Sequence, residues 1–338
     1  MAPNKIIRTI CYFTDDPSSE NAAKIRSVEK ILTDNGYQIQ TKRLCSGLVN
    51  SENLQAAAQD LDYTSMSTLS YQETLNELPH FLATDNLAFN VELANEEIDT
   101  KYTDLLFKII NGNSAKTFNF TFTFNNAPSS PFFPSARYEK NGFAIGMQPT
   151  DLAKDCNTLG EWLSAMQSCW QEIADLFADD PEFLGIDSSI APIGGGDSSF
   201  VHFVKRLAPS FSDSVTTDLY TRITRFIKDN NPRPIGLSGM MLPCLEDAEL
   251  AAEYDQGNFP IERNLFLSLH SGLGIDTYPI GTDEKPQRVV EILKLLQALS
   301  NKYQKPLSAR FVSDGKAVIG ERTDFQNQYL TDCTVRPL

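Results

Sequence analysis

This sequence predicts an α/β fold built on a largely parallel sheet. Strand-like and helix-like hydrophobic periods alternate along all 338 residues, the pattern of strands joined by crossover helices. The strand-like runs number roughly nine, within the range in which such a sheet can close into a barrel. No Pro/Gly/Ser-rich linker interrupts the alternation, so residues 1–338 are expected to form one domain.

Residues 6–13 open the series as an apolar strand. A helix from about Ser19 carries Ile25, Val28, Ile31 and Leu32 on one stripe, with Gly36 as its left-handed stop. Residues 37–44 alternate as a second strand, two weaker helical stretches surround Leu61 and Leu75, and 86–93 read as a third strand. The helix after it ends near Asn111. From 117 to 124 the alternation is cleanest, with Phe118, Phe120, Phe122 and Phe124 on one face and Asn or Thr between them. One buried face and one polar face follow. Residues 125–137 then break the rhythm with prolines and serines around Phe132 and Phe133, which predicts a rigid, irregular loop.

Residues 142–147 resume as a strand. Thr158 and Glu161 have capping-box spacing ahead of a helix with Trp162, Met166, Cys169, Trp170, Ile173 and Phe177 at helical intervals. A strand around Leu184, a turn at Gly194, Gly195 and Gly196, helices around Val201 and Tyr220, and a strand over 235–242 succeed one another. Pro243 is expected to open a helix, at the position where a proline costs least. A strand starting at Leu273, a helix with Val289, Ile292, Leu296 and Leu299 on one stripe, and a strand over 307–312 complete the series.

Composition bounds the function. At 41% hydrophobic and 22% charged residues the chain has the make-up of a folded globular protein rather than a disordered one. Its 44 acidic and 29 basic side chains give a formal charge of −15. That field repels nucleic-acid backbones and anionic membranes, and no basic cluster larger than Lys42-Arg43 or Lys205-Arg206 offsets it. No signal-type stretch precedes the first strand and no run of about 18 apolar residues occurs, so a soluble, cytoplasmic protein is expected. The six cysteines lie far apart and never as Cys-x-x-Cys, which predicts free, mostly buried thiols.

A repeated phrase marks the first candidate site: Leu184-Gly185-Ile186-Asp187-Ser188 and Leu273-Gly274-Ile275-Asp276-Thr277. Two strands ending in an acid and a hydroxyl put two carboxylates at one end of a sheet, where α/β folds build their sites. Asp187 and Asp276 could share a divalent cation or divide acid and base roles. Equally, each could cap the turn or helix that follows. Glu246 and Asp247, after Pro243, would extend the cluster, or simply answer the dipole of a first helical turn. Arg8 stands inside the first strand and Arg43 near the end of the second, and a guanidinium pointing inward from an apolar strand needs a carboxylate or an anionic ligand, an edge or snorkelling position being the alternative. Cys244 has no paired base, the Gly194 run matches no phosphate-loop spacing, and His270 reads as a residue near a helix end.

Several blocks, among them Ile7-Arg8-Thr9-Ile10, Gln40-Thr41-Lys42-Arg43-Leu44, Pro131-Phe132-Phe133-Pro134, Met241-Leu242-Pro243-Cys244-Leu245-Glu246-Asp247 and Gly272-Leu273-Gly274-Ile275-Asp276-Thr277, occur in the order found in the domain of unknown function 711 (DUF711) family, which this chain resembles. The resemblance implies a single-domain α/β barrel like that of pyruvate formate-lyase, two half-barrels in a ring of about ten strands, as in the related uncharacterised UPF0210-type proteins. It implies no activity. A glycyl-radical mechanism is not expected, since Arg310-Phe311-Val312-Ser313-Asp314-Gly315 only loosely echoes the required loop and Cys244 stands where the family pattern more often has an aliphatic residue. The resulting expectation is a non-radical enzyme acting on a small anionic metabolite at the strand C-terminal end. Asp187, Asp276 and Glu246 would be its catalytic or cation-binding acids, and Arg8, Arg43 and Asp247 its ligand contacts. A metabolite-binding or regulatory protein without turnover is the alternative. No cofactor is identified beyond a divalent cation that the acids could hold, and a homo-oligomer is left open.

Overall fold

A computed structural model describes residues 5–47, 51–58 and 60–338. In the first half, β1 (Lys5–Thr14), β3 (Lys42–Ser46), β4 (Tyr63–Thr68), β5 (Leu87–Glu92) and β6 (Phe120–Phe124) lie side by side in that order, all parallel. A short β2 (Tyr37–Ile39) pairs with the start of β1. β2 and β3 are the single strand expected over 37–44, broken where Gln40 N–H bonds to the Ile7 carbonyl and Ile10 N–H to the Thr41 carbonyl. The crossovers are α1 (Ser19–Asp34), α2 (Ser51–Ala57), α3 (Tyr71–Ala83) and α4 (Thr100–Asn113). Leu61 lies outside the helix expected around it, and β4 follows at once.

In the second half, β7 (Gly142–Met147) pairs parallel with β8 (Phe183–Asp187), and β9 (Gly274–Pro279) with β10 (Leu307–Val312). The halves meet through antiparallel pairs, β1 with β7 and β6 with β10. The gap between β8 and β9 is filled by residues 234–243, through the bridges Ile186 to Pro234, Ile190 to Met240, Met240 to Gly272 and Pro243 to Asp276. Nine strands on the path and this segment make a closed ring of ten, the barrel the resemblance implied. The segment was expected as a regular strand, but left-handed backbone at Gly236 (φ +71°) and Ser238 (φ +45°) interrupts its ladder. Helices α5 (Leu159–Leu176), α6 (Phe200–Leu207), α7 (Phe211–Ser214), α8 (Leu219–Asn230), α9 (Ala248–Asp255), α10 (Ile261–His270) and α11 (Pro286–Tyr303) belong to this half.

Alternation along each strand sorts side chains between the helix-facing shell and the barrel interior. On β6, Phe120, Phe122 and Phe124 join the main core while Thr121 and Thr123 face inward, and all five are buried. The polar face read from the sequence is therefore an interior face. Phe118 departs from the expected phenylalanine row, because residues Ser114–Asn119 form a 3₁₀ turn that aims its ring into the barrel beside Arg310. The repeated glycines are steric necessities: a Cβ on Gly185 (φ +150°) would lie 2.5 Å from the Arg233 carbonyl oxygen, and one on Gly274 (φ +104°) 2.1 Å from that of Ser308.

The chain joining the halves runs through the ring. Phe133 and Ala136 pack with the inward Cys11, Phe13, Cys45 and Ala144, and Asn90 Nδ2 donates to the Pro134 and Ala136 carbonyls. The Phe132 ring occupies space left by Gly146, where a Cβ would come within 2.7 Å. All six cysteines are free and buried. No helix among the described residues is long and apolar enough to cross a membrane.

Candidate functional site

Beside this threaded loop the barrel leaves about 940 Å³ free of atoms, part of it continuous with solvent. Because the halves run in opposite directions, one rim collects the starts of the first-half strands and the ends of second-half segments. Thr41, Arg43 and Tyr63 come from the former, Ala191, Pro192 and Glu246 from the latter. The rule that seats α/β sites at strand C-terminal ends thus applies to one half only.

Arg8, Arg43, Glu246 and Asp276 all line this space, as does Arg310. A register shift between Ile7 and Thr9 turns Arg8 inward, ahead of Cys11 and Phe13. Arg43 is the inward residue of β3 between Thr41 and Cys45, and neither arginine is at an edge: they are 8% and 5% exposed. Glu246 sits in a tight turn, not in the helix expected from Pro243. The amides of Glu246 and Asp247 both bond back to the Pro243 carbonyl, and α9 begins only at Ala248.

These side chains form an alternating ionic chain. Arg8 Nη2 donates to Glu246 Oε2 at 3.2 Å, Arg310 Nη2 donates to Glu246 Oε1, and Arg310 Nε donates to Asp276 Oδ1 at 2.6 Å. Burial works against the charge on Arg310, but Asp276 and Glu246 outweigh it and hold its pKa above the ordinary value. Arg310 also donates to the Phe118 carbonyl and lies over the Phe118 ring. The guanidinium thus stands where a cation shared by Glu246 and Asp276 would. Among the described residues no group of three or more His, Cys, Asp or Glu side chains is arranged to hold a metal ion.

Arg43 differs from both of the other arginines. It donates to Thr41 Oγ1 at 3.0 Å and, at 3.5 Å, to the Pro131 carbonyl, and its guanidinium lies 5.5 Å from the Tyr63 ring centre and 5.0 Å from that of Phe133. No carboxylate among the described residues is within ion-pair distance of it. Burial, and then the nearby Arg8, lower its pKa to about 10. Arg43 is thus a buried guanidinium at the cavity wall whose partners among the described residues are a hydroxyl, a carbonyl and two aromatic rings.

The remaining two acids lie elsewhere. Asp187 does not line the cavity; its oxygens accept from Ser130 Oγ, from the amide and hydroxyl of Ser189, and from the amides of Leu237 and Ser238. It ties the threaded loop to the closing segment. Asp247 caps α9, accepting from the Glu249 and Leu250 amides, and also from Ser199 Oγ and the Phe200 and Val201 amides. Burial raises its pKa to about 6, with Ser199 and the amides pulling the other way. So the structure brings Asp276 and Glu246 together but not Asp187 with them. Sequence reasoning passed over Arg310, although a lone charge in the apolar run 307–312 is the same signal that marked Arg8. Tyr329, which stacks on Phe118 at 6.0 Å and lies beside Arg8, comes from the chain after β10 and left no such signal.

The model of a family described as "Uncharacterised ACR (DUF711)" matches residues 65–326. No curated protein matches the chain. Among solved structures, the chain is similar to the anaerobic ribonucleotide reductase from Thermotoga maritima, determined in complex with dATP and CTP. The two share 8% identity over 97% of this chain and 79% of that one, with a TM-score of 0.33.

Proposed function

The chain belongs to the uncharacterised DUF711 family, and for this member we propose that the barrel interior binds a small anionic metabolite, with Arg43 as the residue that receives its negative charge. The observation that supports this reading is the unpaired guanidinium itself. Arg8 and Arg310 already serve Glu246 and Asp276, whereas Arg43 has two aromatic rings, a hydroxyl and the Pro131 carbonyl for company, none of them charged. Burying a charge unpaired costs on the order of 3 kcal/mol, which a bound anion would offset.

One feature favours turnover over simple binding. Glu246 uses both carboxylate oxygens, but Asp276, which also lines the cavity, is hydrogen-bonded through Oδ1 alone, so its Oδ2 has no partner among the described residues and can accept from a ligand. Asp187 and Asp247 support the site indirectly, through the loop and the turn they hold.

Scanning fluorimetry at constant ionic strength, with a panel of carboxylates and phosphate esters, tests the binding claim on wild type and on Arg43→Met. Anions should stabilise the wild type only, while the unliganded variant melts at or above the wild-type temperature because the buried charge is gone. Equal stabilisation of both proteins would refute it. Following the stabilising compound by mass spectrometry then separates turnover from binding.

A further inference from the structure

Charge balance within the cavity narrows the ligand further, provided that the anion reading holds. Three guanidiniums and two carboxylates line the space, with no other ionisable acid or base except tyrosine, which leaves one positive charge in excess. One negative charge neutralises it. A second would find Arg8 and Arg310 already committed to Glu246, and burying it unpaired would cost more than the first gained. A phosphate monoester carries nearly two charges at neutral pH and is disfavoured for that reason, as is a dicarboxylate.

Opposite in character is Asp276 Oδ2, an acceptor that no group among the described residues fills. It calls for a hydrogen-bond donor on the ligand. A hydroxyl satisfies it without adding charge, while an ammonium would bring a further positive charge into a space that already has one too many. Beside these polar groups the lining offers apolar surface from Phe118, Phe132, Met241, Leu242 and Leu273. Such surfaces favour a carbon body of ring size.

We infer that the ligand is a hydroxy-monocarboxylate with an apolar body, its carboxylate on Arg43 and its hydroxyl donating to Asp276. The test is calorimetric titration of the full chain with five probes: 3-phenyllactate, 3-phenylpropanoate, phenylalanine, phenylsuccinate and 2-phenylethyl phosphate. 3-Phenyllactate should bind best, with 3-phenylpropanoate weaker by about ten- to a hundred-fold, the loss expected for one hydrogen bond to a charged acceptor. Phenylalanine and the two dianions should be weaker still. Equal affinity for phenyllactate and phenylpropanoate, or tighter binding of either dianion or of phenylalanine, overturns the assignment. If those tighter binders lose affinity in Arg43→Met, the anion site stands and only the ligand class is wrong. If no probe binds, the class falls, and if no anion of the wider panel acts through Arg43 either, the anion site falls with it.

Discussion

Replacing Arg310 with methionine removes the cation at the centre of the ionic chain. Glu246 keeps Arg8 at 3.2 Å, but Asp276 loses its one ionic partner in a site where Arg310 itself is only 6% exposed. Breaking one side of such a buried pair costs about 3–5 kcal/mol. For 338 residues, an unfolding entropy of about 2.1 cal/mol/K per residue sums to roughly 0.7 kcal/mol/K, so Tm should fall by about 4–7 °C. The assay is differential scanning calorimetry of Arg310→Met beside Arg310→Met/Asp276→Leu. Removing both charges leaves no orphan, so the double variant should recover at least half of the loss. A single variant within about 1 °C of wild type, or a double variant no better than the single, would show that the ion pair does not carry the stability assigned to it.

Three further outcomes are expected. Asp187→Asn presents an amide group to donors that now meet an acceptor-only carboxylate, so Tm should drop by several degrees and protease should cut within 125–141; an unchanged digestion pattern contradicts the loop-holding role. Asp247, with its pKa raised to about 6 from the usual 3.8, binds its proton more tightly folded than unfolded. Its contribution is therefore full below about pH 4 and falls by about 3 kcal/mol as pH rises through 6; a stability difference between wild type and Asp247→Asn that stays flat from pH 4 to 7 would contradict this. Gly274→Ala drives a Cβ against the Ser308 carbonyl at φ +104° and should yield little soluble protein, whereas near-normal yield and Tm would mean that β9 can shift away from β10.

The parts of the fold legible in the sequence are those with an apolar face toward the helices. β1, β6 and β10, and the helices α1, α5 and α11, all show the expected stripe or alternation. β4 escaped because its inward residues Tyr63, Ser65 and Ser67 are polar and only Thr64 and Met66 face the other way. A polar interior erases the contrast on which strand recognition rests. The same polarity made Arg8 visible, since a charge in an otherwise apolar run is conspicuous, whereas Arg43, next to Thr41 and Lys42, was marked only by its place near the end of a strand. Pro243 misled for a different reason: its carbonyl closes a turn on Glu246 and Asp247, so the helix starts five residues later with Asp247 as its cap. The loop over 125–137 was recognised as irregular, but no local pattern says that it passes inside the ring; that follows from distant partners such as Asn90 and Gly146.

The threaded loop also constrains how the molecule can come apart. Phe132, Phe133, Pro134 and Ser135 form part of the cavity wall and are enclosed by strands of both halves. Withdrawing them requires the ring to open, at β1–β7, at β6–β10 or across the bridged segment. Cavity, loop and ring closure are then a single cooperative unit: the hydrogen-bonded amides of Ser129, Phe132 and Tyr138 should exchange only with those of the closing pairs, and whatever fills the cavity should slow the exchange of all of them together.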